Sequence, residues 1–353
     1  MKQLKTLYLI RKNWGGHPVF RPLADALNAD IFVVDSTRIK TNNHFLNRAL
    51  QYLFSVYLAF KIPNNYDIIL GEAGMSISSL ARKLHRLRNS KIVGILSAGS
   101  LSYDYIKHNK NLKLSYHFIK DVDVFICPSK YVMKLARKIF PGQKMFVVYG
   151  FPNPQLRKYI NINKLPSLES KNLLLIGSLE QKNRIRLKGV DLLIEAFKLV
   201  KEKYPDTELN IAGKFNQELI SEWENIPGLH FINAPTDKKL ADLINHSSLY
   251  VHLGRDDAFP TSVLDAMLGG LPVIVSNETG SIDFMDRLNS NLVSPLNPRI
   301  AADKIKWYFE LDKKKKMVLS KKAVAIALSF NKEKIIKKFK VDLIHILAEN
   351  YKK

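Results

Sequence analysis

Two aspartates bracket the start of a short predicted helix. Asp257 follows the apolar run LYVHLG, and Asp265 lies eight positions later within TSVLDAML. Between them, Pro260 sits at or near the first helical position, and Thr261 and Ser262 place hydroxyl groups beside unpaired backbone amides. A helix start of this kind attracts an anion. Taken alone, however, Asp257 could simply complement the helix dipole, an effect of about 0.3–1 kcal/mol, and Asp265 could be solvated.

A second group of candidate residues is basic. Arg184, Arg186 and Lys188 lie at another predicted strand-to-helix junction, between NLLLIGS and VDLLIEAFKLV. Guanidinium and ammonium groups near a helix N-terminus suit a diphosphate, because its oxygens need charge-assisted donors. Lys188 precedes Gly189, where the backbone can approach a ligand closely. We therefore interpret these cations as a phosphate site, although a solvated loop lysine is the alternative for Lys188.

A third candidate is the pair Gly15 and Gly16, which follows the first predicted strand, LKTLYLI. Two glycines allow a ligand to approach the chain. The same pair is also ordinary turn chemistry, and the dinucleotide pattern GxGxxG is absent.

The elements that must position these residues alternate regularly along the chain. Short β-branched and apolar runs are separated by longer helical patterns, which is typical of βαβ units with a parallel sheet. The alternation stops in the Pro-, Asn- and Ser-rich stretch FPNPQLRKYININKLPSLESKN and then restarts. We predict an α/β fold of two Rossmann-like, doubly wound domains, at 1–152 and 172–331, joined by a linker at 153–171. Ligands of such sheets bind at the carboxyl ends of the strands, so the domains are expected to face each other across a cleft.

Length and composition agree with two domains. The chain has 353 residues and is 46% hydrophobic, enough for more than one core. Its only cysteine, Cys127, lies in an apolar run and is expected in the core; a lone cysteine excludes an internal disulfide and a multi-cysteine metal site, and it suits a reducing cytoplasm. No apolar run reaches the roughly 18–20 residues of a spanning helix. We expect a cytoplasmic protein, soluble or peripheral on the cytoplasmic membrane face.

Charge is distributed unevenly. The formal net charge is +23, and residues 1–150 hold 23 Lys and Arg against 8 Asp and Glu. Such a field attracts polyanions, whether nucleic acid, anionic lipid or phosphorylated small molecules.

Together these residues resemble glycosyltransferase family 4, whose members are retaining, nucleotide-sugar-dependent enzymes of GT-B architecture. The family pattern E-x7-E followed by A-M-x-x-G-x-P-V is similar to Asp257-x7-Asp265 followed by AMLGGLPV, which covers residues 266–273. The family's basic loop resembles the stretch KGVD at 188–191, and its N-terminal Gly-Gly loop resembles the pair at 15–16.

The resemblance implies a role for each candidate residue. Asp265 would accept hydrogen bonds from ribose hydroxyls, Asp257 would hold a hydroxyl of the transferred sugar, and Lys188, helped by Arg184 or Arg186, would neutralise the leaving diphosphate. No protein nucleophile, metal ion or separate cofactor is implied. The implied donor-binding set is Gly15, Gly16, Ser178, Arg186, Ala258, Phe259, Pro260, Thr261, Ser262 and Asp265. A final helix at 332–353 would pack back on the N-terminal domain.

Five positions depart from the family pattern. Both acids are aspartates where glutamates are usual, so each carboxylate reaches about one methylene less far. Ser178 stands where an arginine is common, Pro260 lacks an amide that could meet phosphate, and Ser97, a candidate near the acceptor, stands near where many relatives have a histidine. These departures bear on the donor contacts more than on the reaction class.

The acceptor is expected on the basic N-terminal domain, where the resemblance places it. Lipid-linked or cell-surface glycan precursors and an anionic membrane surface match its charge. The segment FLNRALQYLFSVYLAFKI at 45–62 is interpreted as a buried helix, a preference that an exposed apolar face would reverse.

Other functions remain open from the sequence. A glycosyltransferase that modifies nucleic acid would use the same charge, but no nucleic-acid-binding motif supports it. The shortened acids suggest a noncatalytic nucleotide-sugar-binding protein, and an isomerase is possible on the same architecture.

Overall fold

The computed structural model describes residues 4–10, 18–34, 44–72, 75–84, 86–96 and 121–348. The chain divides into two compact units: Met1–Val148 together with Glu333–Lys353, and Tyr149–Lys332. Each unit contains its own six-stranded sheet, and every strand pairing in both sheets of the described chain is parallel.

The first unit is a parallel α/β sheet in the strand order β2-β1-β3-β4-β5-β6. Its strands are β1 (Thr6–Ile10), β2 (Asp30–Val33), β3 (Ile68–Gly71), β4 (Lys91–Ile95), β5 (Val124–Cys127) and β6 (Lys144–Val147), and its helices include α1 (Arg21–Ala26), α2 (His44–Lys61), α3 (Met75–Lys83) and α4 (Lys130–Ile139). β1, β3 and β5 are buried along their whole length, as expected of strands covered on both faces. Cys127 is buried at the end of β5, as predicted.

The second unit repeats this architecture. Its strands are β7 (Asn172–Ile176), β8 (Glu208–Gly213), β9 (Leu229–Asn233), β10 (Leu249–His252), β11 (Val273–Ser276) and β12 (Val293–Ser294). Its helices are α5 (Lys182–Lys188), α6 (Val190–Lys201), α7 (Asp237–His246), α8 (Thr261–Leu268), α9 (Met285–Leu288), α10 (Pro298–Glu310) and α11 (Lys313–Ser329).

The strand order of the second unit, β9-β8-β7-β10-β11-β12, creates a topological switch point. The chain runs outward from β7 to one edge of the sheet, then returns to β10 and runs to the other edge. Segments leaving β7 and β10 therefore diverge, and in open parallel sheets ligands bind outside the carboxyl ends of such a strand pair. We therefore expect a ligand site among the residues that follow β7 and β10.

The last helix, α12 (Lys332–Ala348), lies almost entirely in the N-terminal unit. Phe339, Leu343 and Leu347 are buried on one side of it, and the ring of Phe339 stacks on that of Phe146 in β6, with the centroids 6.3 Å apart. Its apolar residues thus contribute to the first core.

The boundary between the units differs from the sequence prediction. The second unit already begins at Tyr149, and residues 153–171, predicted as a linker, lie within it. The reason is that apolar residues are interspersed among the Pro, Asn and Ser of this stretch: Leu156, Ile160 and Leu168 are buried. The amide of Ser167 also donates to the carbonyl of Asn245 at 2.9 Å.

Candidate functional site

The switch point of the second unit brings Lys188 and Asp257 together. The Nζ of Lys188 lies 2.7 Å from Oδ2 of Asp257, and the two side chains are only 13% and 12% exposed. Lys188 follows β7 and Asp257 follows β10. Both residues therefore lie beyond the carboxyl ends of strands, as the sequence predicts. Their direct contact is a finding of the structure.

Gly189 allows the segment after β7 to contact the segment after β10. Its φ of 67° is in the left-handed region, and a Cβ at this position would lie 1.9 Å from the carbonyl oxygen of Leu253. Beside this contact, the amide of Arg255 donates to the carbonyl of Leu187 at 2.9 Å. Glycine is therefore required by both conformation and space, and it fixes the segment after β7 against the segment after β10.

The basic segment is not the loop that the sequence predicts. Residues 182–188 form α5, and Lys188 is both its last residue and the residue directly before the N-cap of α6, so Lys188 lies near a helix N-terminus as predicted. The next helix, α6, begins only two residues later, with Gly189 as its N-cap. The left-handed glycine ends one helix and starts the other, and it turns the chain within a single residue.

The two arginines of α5 are placed differently. Arg184 lies one helical turn before Lys188 on the same side and is half-buried, whereas Arg186 is two positions from Lys188, on the other side of the helix, and is exposed. The structure therefore associates Arg184 rather than Arg186 with Lys188.

Arg255 is a structural residue that sequence reasoning missed. Its guanidinium binds both carboxylate oxygens of Asp191 in α6, at 2.8 and 2.9 Å, and also donates to the carbonyl of Arg186. A bidentate pair of this kind fixes geometry strongly. It therefore holds the loop before Asp257 against the start of α6.

His252 is the second residue that sequence reasoning missed, and it contacts the site directly. Its side chain is fully buried, its Nε2 lies 3.1 Å from Oδ2 of Asp257, and its Nδ1 has no hydrogen-bond partner among the residues that the structure describes. Burial lowers the pKa of His252 despite the hydrogen bond to Asp257, so the ring is neutral at pH 7. We assign the tautomer with hydrogen on Nε2, which donates to Asp257. The signal in the sequence was a histidine inside a buried strand.

Asp257 is held as a carboxylate. Burial acts to raise its pKa, but the ammonium of Lys188 and the hydrogen bond from His252 outweigh burial and hold the pKa of Asp257 below its usual range. Both donors bind Oδ2. No side chain or amide within the described parts of the chain hydrogen-bonds to Oδ1 of Asp257, so this oxygen is open to a substrate hydroxyl.

The backbone of this loop is fixed on both sides of the carboxylate. Asp256 has a φ of 51°, a left-handed conformation that few residues other than glycine adopt, and the amide of Gly280 donates to the carbonyl of Asp257 at 2.8 Å. Left-handed residues other than glycine are enriched at functional sites. The loop therefore holds Asp257 in one orientation.

The start of α8 is only partly the anion site that the sequence predicts. Pro260 is the N-cap, directly before Thr261, and its side chain makes no capping hydrogen bond. The hydroxyl of Ser262 accepts a 2.9 Å hydrogen bond from the buried Tyr250, so it is engaged within the protein. Phe259 is buried against Tyr149 and other aromatic rings, which anchors the loop. No described side chain hydrogen-bonds to the first amides of α8, which remain suited to an anion.

Asp265 does not join the Lys188 and Asp257 cluster. It is 8% exposed within α8, and its Oδ1 accepts a 2.6 Å hydrogen bond from the amide of Asn153. Burial raises the pKa of Asp265 to about 7, although the Asn153 amide favours the charged form; the nearby Asp237 carboxylate raises it further. The side chain is thus poised to change protonation near neutral pH.

The remaining predicted site residues fall into two groups. Gly15, Gly16 and Ser97 lie outside the described residues. Ser178 and Ala258 are half-buried in the segments that follow β7 and β10, and the hydroxyl of Ser178 donates to Glu180 at 2.9 Å. The structure therefore places part of the predicted donor-binding set together, in the segments that follow β7 and β10.

Part of the second unit is similar to a known protein family. Residues 162–324 match the family model described as "Glycosyl transferases group 1". The matched residues include Lys188, His252, Asp257 and Asp265, and they lie within the second unit. The ion pair of Lys188 and Asp257 is therefore inside the part of the chain that is similar to this family.

Two curated relatives are similar to parts of the chain. An uncharacterized glycosyltransferase of Haemophilus influenzae is 30% identical over 131 residues, which cover 36% of this chain and 34% of that protein. An uncharacterized glycosyltransferase of Methanocaldococcus jannaschii is 27% identical over 237 residues, 64% of this chain and 52% of that protein. The chain thus spans about a third and about half of the lengths of these relatives.

Solved structures are similar over nearly the whole chain. The crystal structure of Anabaena HepE in complex with UDP and glucose has a TM-score of 0.69 at 16% identity, covering 97% of this chain and 100% of that one. Sucrose-phosphate synthase from Thermosynechococcus elongatus has a TM-score of 0.71 at 14% identity, covering 98% and 100%. At these identities the likeness concerns the fold, and it confirms the predicted two-domain α/β fold of the GT-B class.

Proposed function

We propose that this protein is a retaining glycosyltransferase of the family 4 type that moves a sugar from a nucleoside-diphosphate sugar to an acceptor hydroxyl. The observation that carries the proposal is the buried pair of Lys188 and Asp257 at the switch point of the second unit, within the residues that match the glycosyl transferases group 1 model. The complexes of the structurally similar HepE with UDP and with UDP-glucose support a uridine nucleotide as the first donor to test.

The donor would bind across this pair. The Lys188 ammonium and the Arg184 guanidinium would neutralise the diphosphate, together with the uncapped amides at the start of α8. Oδ1 of Asp257 would accept a hydrogen bond from a sugar hydroxyl, because Oδ2 is already held by Lys188 and His252. Asp265 would accept hydrogen bonds from ribose hydroxyls, and Ser178, Ala258 and Thr261 would line the donor site.

In the reaction, the bond between the anomeric carbon and the diphosphate oxygen breaks, and a bond from the acceptor oxygen to the same carbon forms on the same face. The acceptor proton passes to the departing diphosphate. Negative charge develops on that leaving group, and a positioned ammonium stabilises it without having to reorganise. Because fixed cations supply this stabilisation, we propose that transfer is independent of a metal ion and of any cofactor.

The acceptor would bind to the N-terminal unit, and a lipid-linked or cell-surface glycan precursor fits its charge. Residues 1–148 and 333–353 carry 29 Lys and Arg against 11 Asp and Glu, a surplus of 18, whereas residues 149–332 carry 26 against 21, a surplus of 5. Phosphate-bearing lipid carriers are anionic, so this asymmetry favours their approach. The corresponding location is the cytoplasmic face of a membrane.

A donor screen tests the function. The full chain is incubated with single nucleotide sugars, beginning with UDP-glucose, and release of the nucleoside diphosphate is measured with and without EDTA. We expect hydrolysis or transfer with at least one donor, unchanged by EDTA, and a transferred sugar whose anomeric configuration by NMR equals that of the donor. Thermal stabilisation by nucleoside diphosphates without turnover of any donor would instead identify a noncatalytic binding protein.

A further inference from the structure

Helix α2 carries an exposed apolar face. Leu46, Leu53, Tyr57 and Phe60 are 47%, 62%, 52% and 51% exposed. They are spaced seven, four and three residues apart, which places them on one side of a helix. The opposite side is buried, as Leu58, Ala59 and Ile62 show. We call the four exposed residues the α2 stripe.

The α2 stripe corrects the expectation that residues 45–62 are a buried helix. Among the side chains of α2 that the structure describes, the buried ones lie on one side, and α3 packs against the helix. A helix that is apolar all round needs cover on every side to be stable in water. Large exposed apolar patches on soluble proteins mark interaction surfaces. We therefore expect the α2 stripe to be an interaction surface.

The charge around the stripe indicates what its partner is. Helix α2 contains no Asp or Glu but includes Arg48 and Lys61, and the unit that carries it holds 29 Lys and Arg against 11 Asp and Glu. The ammonium of Lys61 lies 5.5 Å from the ring centroid of Tyr57, at the C-terminal end of the stripe. Leucines and aromatic rings accompanied by basic residues, without acids, are typical of helices that lie in the interface of an anionic bilayer.

We propose that α2 docks the protein on an anionic lipid surface, with the α2 stripe inserted at the level of the headgroups. The stripe covers 14 helical steps, about 21 Å at 1.5 Å per residue, which suits a helix lying parallel to the surface. In the described parts of the chain no helix is long and apolar enough to cross a membrane. Delivery of the enzyme to a lipid-linked acceptor is the part that rests on the proposed function; lipid binding itself does not.

The test is vesicle cosedimentation of the full chain without any donor, which separates lipid binding from catalysis. The vesicles contain phosphatidylcholine alone or phosphatidylcholine with 30% phosphatidylglycerol, each at low and high salt. The double variant Leu53→Gln/Phe60→Gln removes apolar area from the stripe at two exposed positions. The matched control, Tyr159→Gln/Val318→Gln, removes apolar area at positions of the second unit that are 51% and 49% exposed.

We expect the wild type and the control to bind anionic vesicles, and the stripe variant to lose at least tenfold in partition coefficient with an unchanged melting temperature. Neutral vesicles should bind all three proteins weakly. Failure of the wild type to bind anionic vesicles would overturn the proposal. Equal binding by the stripe variant would overturn it too, because attraction would then be purely electrostatic. A wild-type dimer that the stripe variant converts to a monomer, with vesicle binding unchanged, would assign the face to a second copy.

Discussion

Lys188 and Asp257 are 69 positions apart in the sequence, yet their side chains form a 2.7 Å ion pair where β7 and β10 end. Asp257 uses one carboxylate oxygen for Lys188 and His252, so the other is available to a ligand. A cation and a hydroxyl acceptor therefore stand side by side. This is the arrangement needed at the junction between a diphosphate and a sugar.

Replacing Lys188 should remove catalysis by removing the positive charge at the leaving group. We expect Lys188→Met to lower kcat by about 10²–10³-fold, the size of effect seen when one preorganised transition-state donor is lost. The measurement is steady-state donor turnover. Lys182→Met, at the start of the same helix and exposed, is the control and should keep wild-type kcat. A Lys188→Met enzyme with full kcat would remove the lysine from the mechanism.

Replacing Asp257 should affect both activity and stability. Asp257→Ala leaves the Lys188 ammonium buried without its partner, which costs about 3–5 kcal/mol of the free energy of unfolding. The double variant Lys188→Met/Asp257→Asn removes both charges and should recover most of that stability while remaining inactive. Chemical denaturation measures the first effect and donor turnover the second. A double variant as unstable as Asp257→Ala would contradict the coupling.

His252 should act through the orientation of Asp257. His252→Leu removes the donor to Oδ2, whereas His252→Gln can still donate from a nitrogen at a similar distance from the backbone. We expect His252→Leu to lower kcat with little change in donor KM, and His252→Gln to recover part of the loss. Equal kcat values for the two variants would indicate that the histidine contributes only packing.

Asp265 should make donor binding depend on pH. Its raised pKa, about 7, means that the carboxylate that accepts ribose hydrogen bonds forms as pH increases from 6 to 8. We therefore expect the donor KM of the wild type to fall over this interval. Asp265→Asn should give a higher donor KM that does not change with pH. If KM for the wild type is flat or rises between pH 6 and 8, Asp265 does not bind the donor as a carboxylate.

The raised pKa of Asp265 also predicts the direction in which the melting temperature changes with pH. Because the pKa of Asp265 is higher in the folded than in the unfolded chain, its favourable contribution is complete below about pH 4 and is lost as pH rises through about 7. The melting temperature should fall over this interval in the wild type and fall less in Asp265→Asn. Differential scanning calorimetry across that range makes the comparison.

Gly189 should tolerate no side chain. Gly189→Ala places a Cβ at a φ of 67° and against the Leu253 carbonyl, so we expect a loss of at least about 2 kcal/mol in the free energy of unfolding. Gly142 also has a positive φ, of 83°, but has open space around it. Gly142→Ala therefore measures the conformational cost alone and should be the milder variant.

Much of the fold could be predicted from alternation and strand polarity. The two parallel α/β units follow from the spacing of apolar runs, and the rule that ligands bind at carboxyl ends of strands selected the segments holding Lys188 and Asp257. Neither inference needs a long-range contact. The parallel register then places those segments beside each other.

What the sequence could not give depends on contacts between distant residues. The seven residues of α5 are too few for a helical period to be visible, and the end of α5 depends on the packing of Gly189 against Leu253. His252 lies among apolar neighbours, so its contact with Asp257 appears only when β10 and its loop are in place. The open side of α2 could not be predicted, because a helix with apolar residues all round does not indicate which side is covered.

The central claim is that Lys188 binds the diphosphate of the donor. The most direct measurement is isothermal titration of UDP and UMP into the wild type and into Lys188→Met, each checked for an unchanged circular dichroism spectrum. We predict that the wild type prefers the diphosphate and that the variant loses at least tenfold of this preference while UMP affinity stays the same. A variant that still distinguishes UDP from UMP as well as the wild type does would contradict the account.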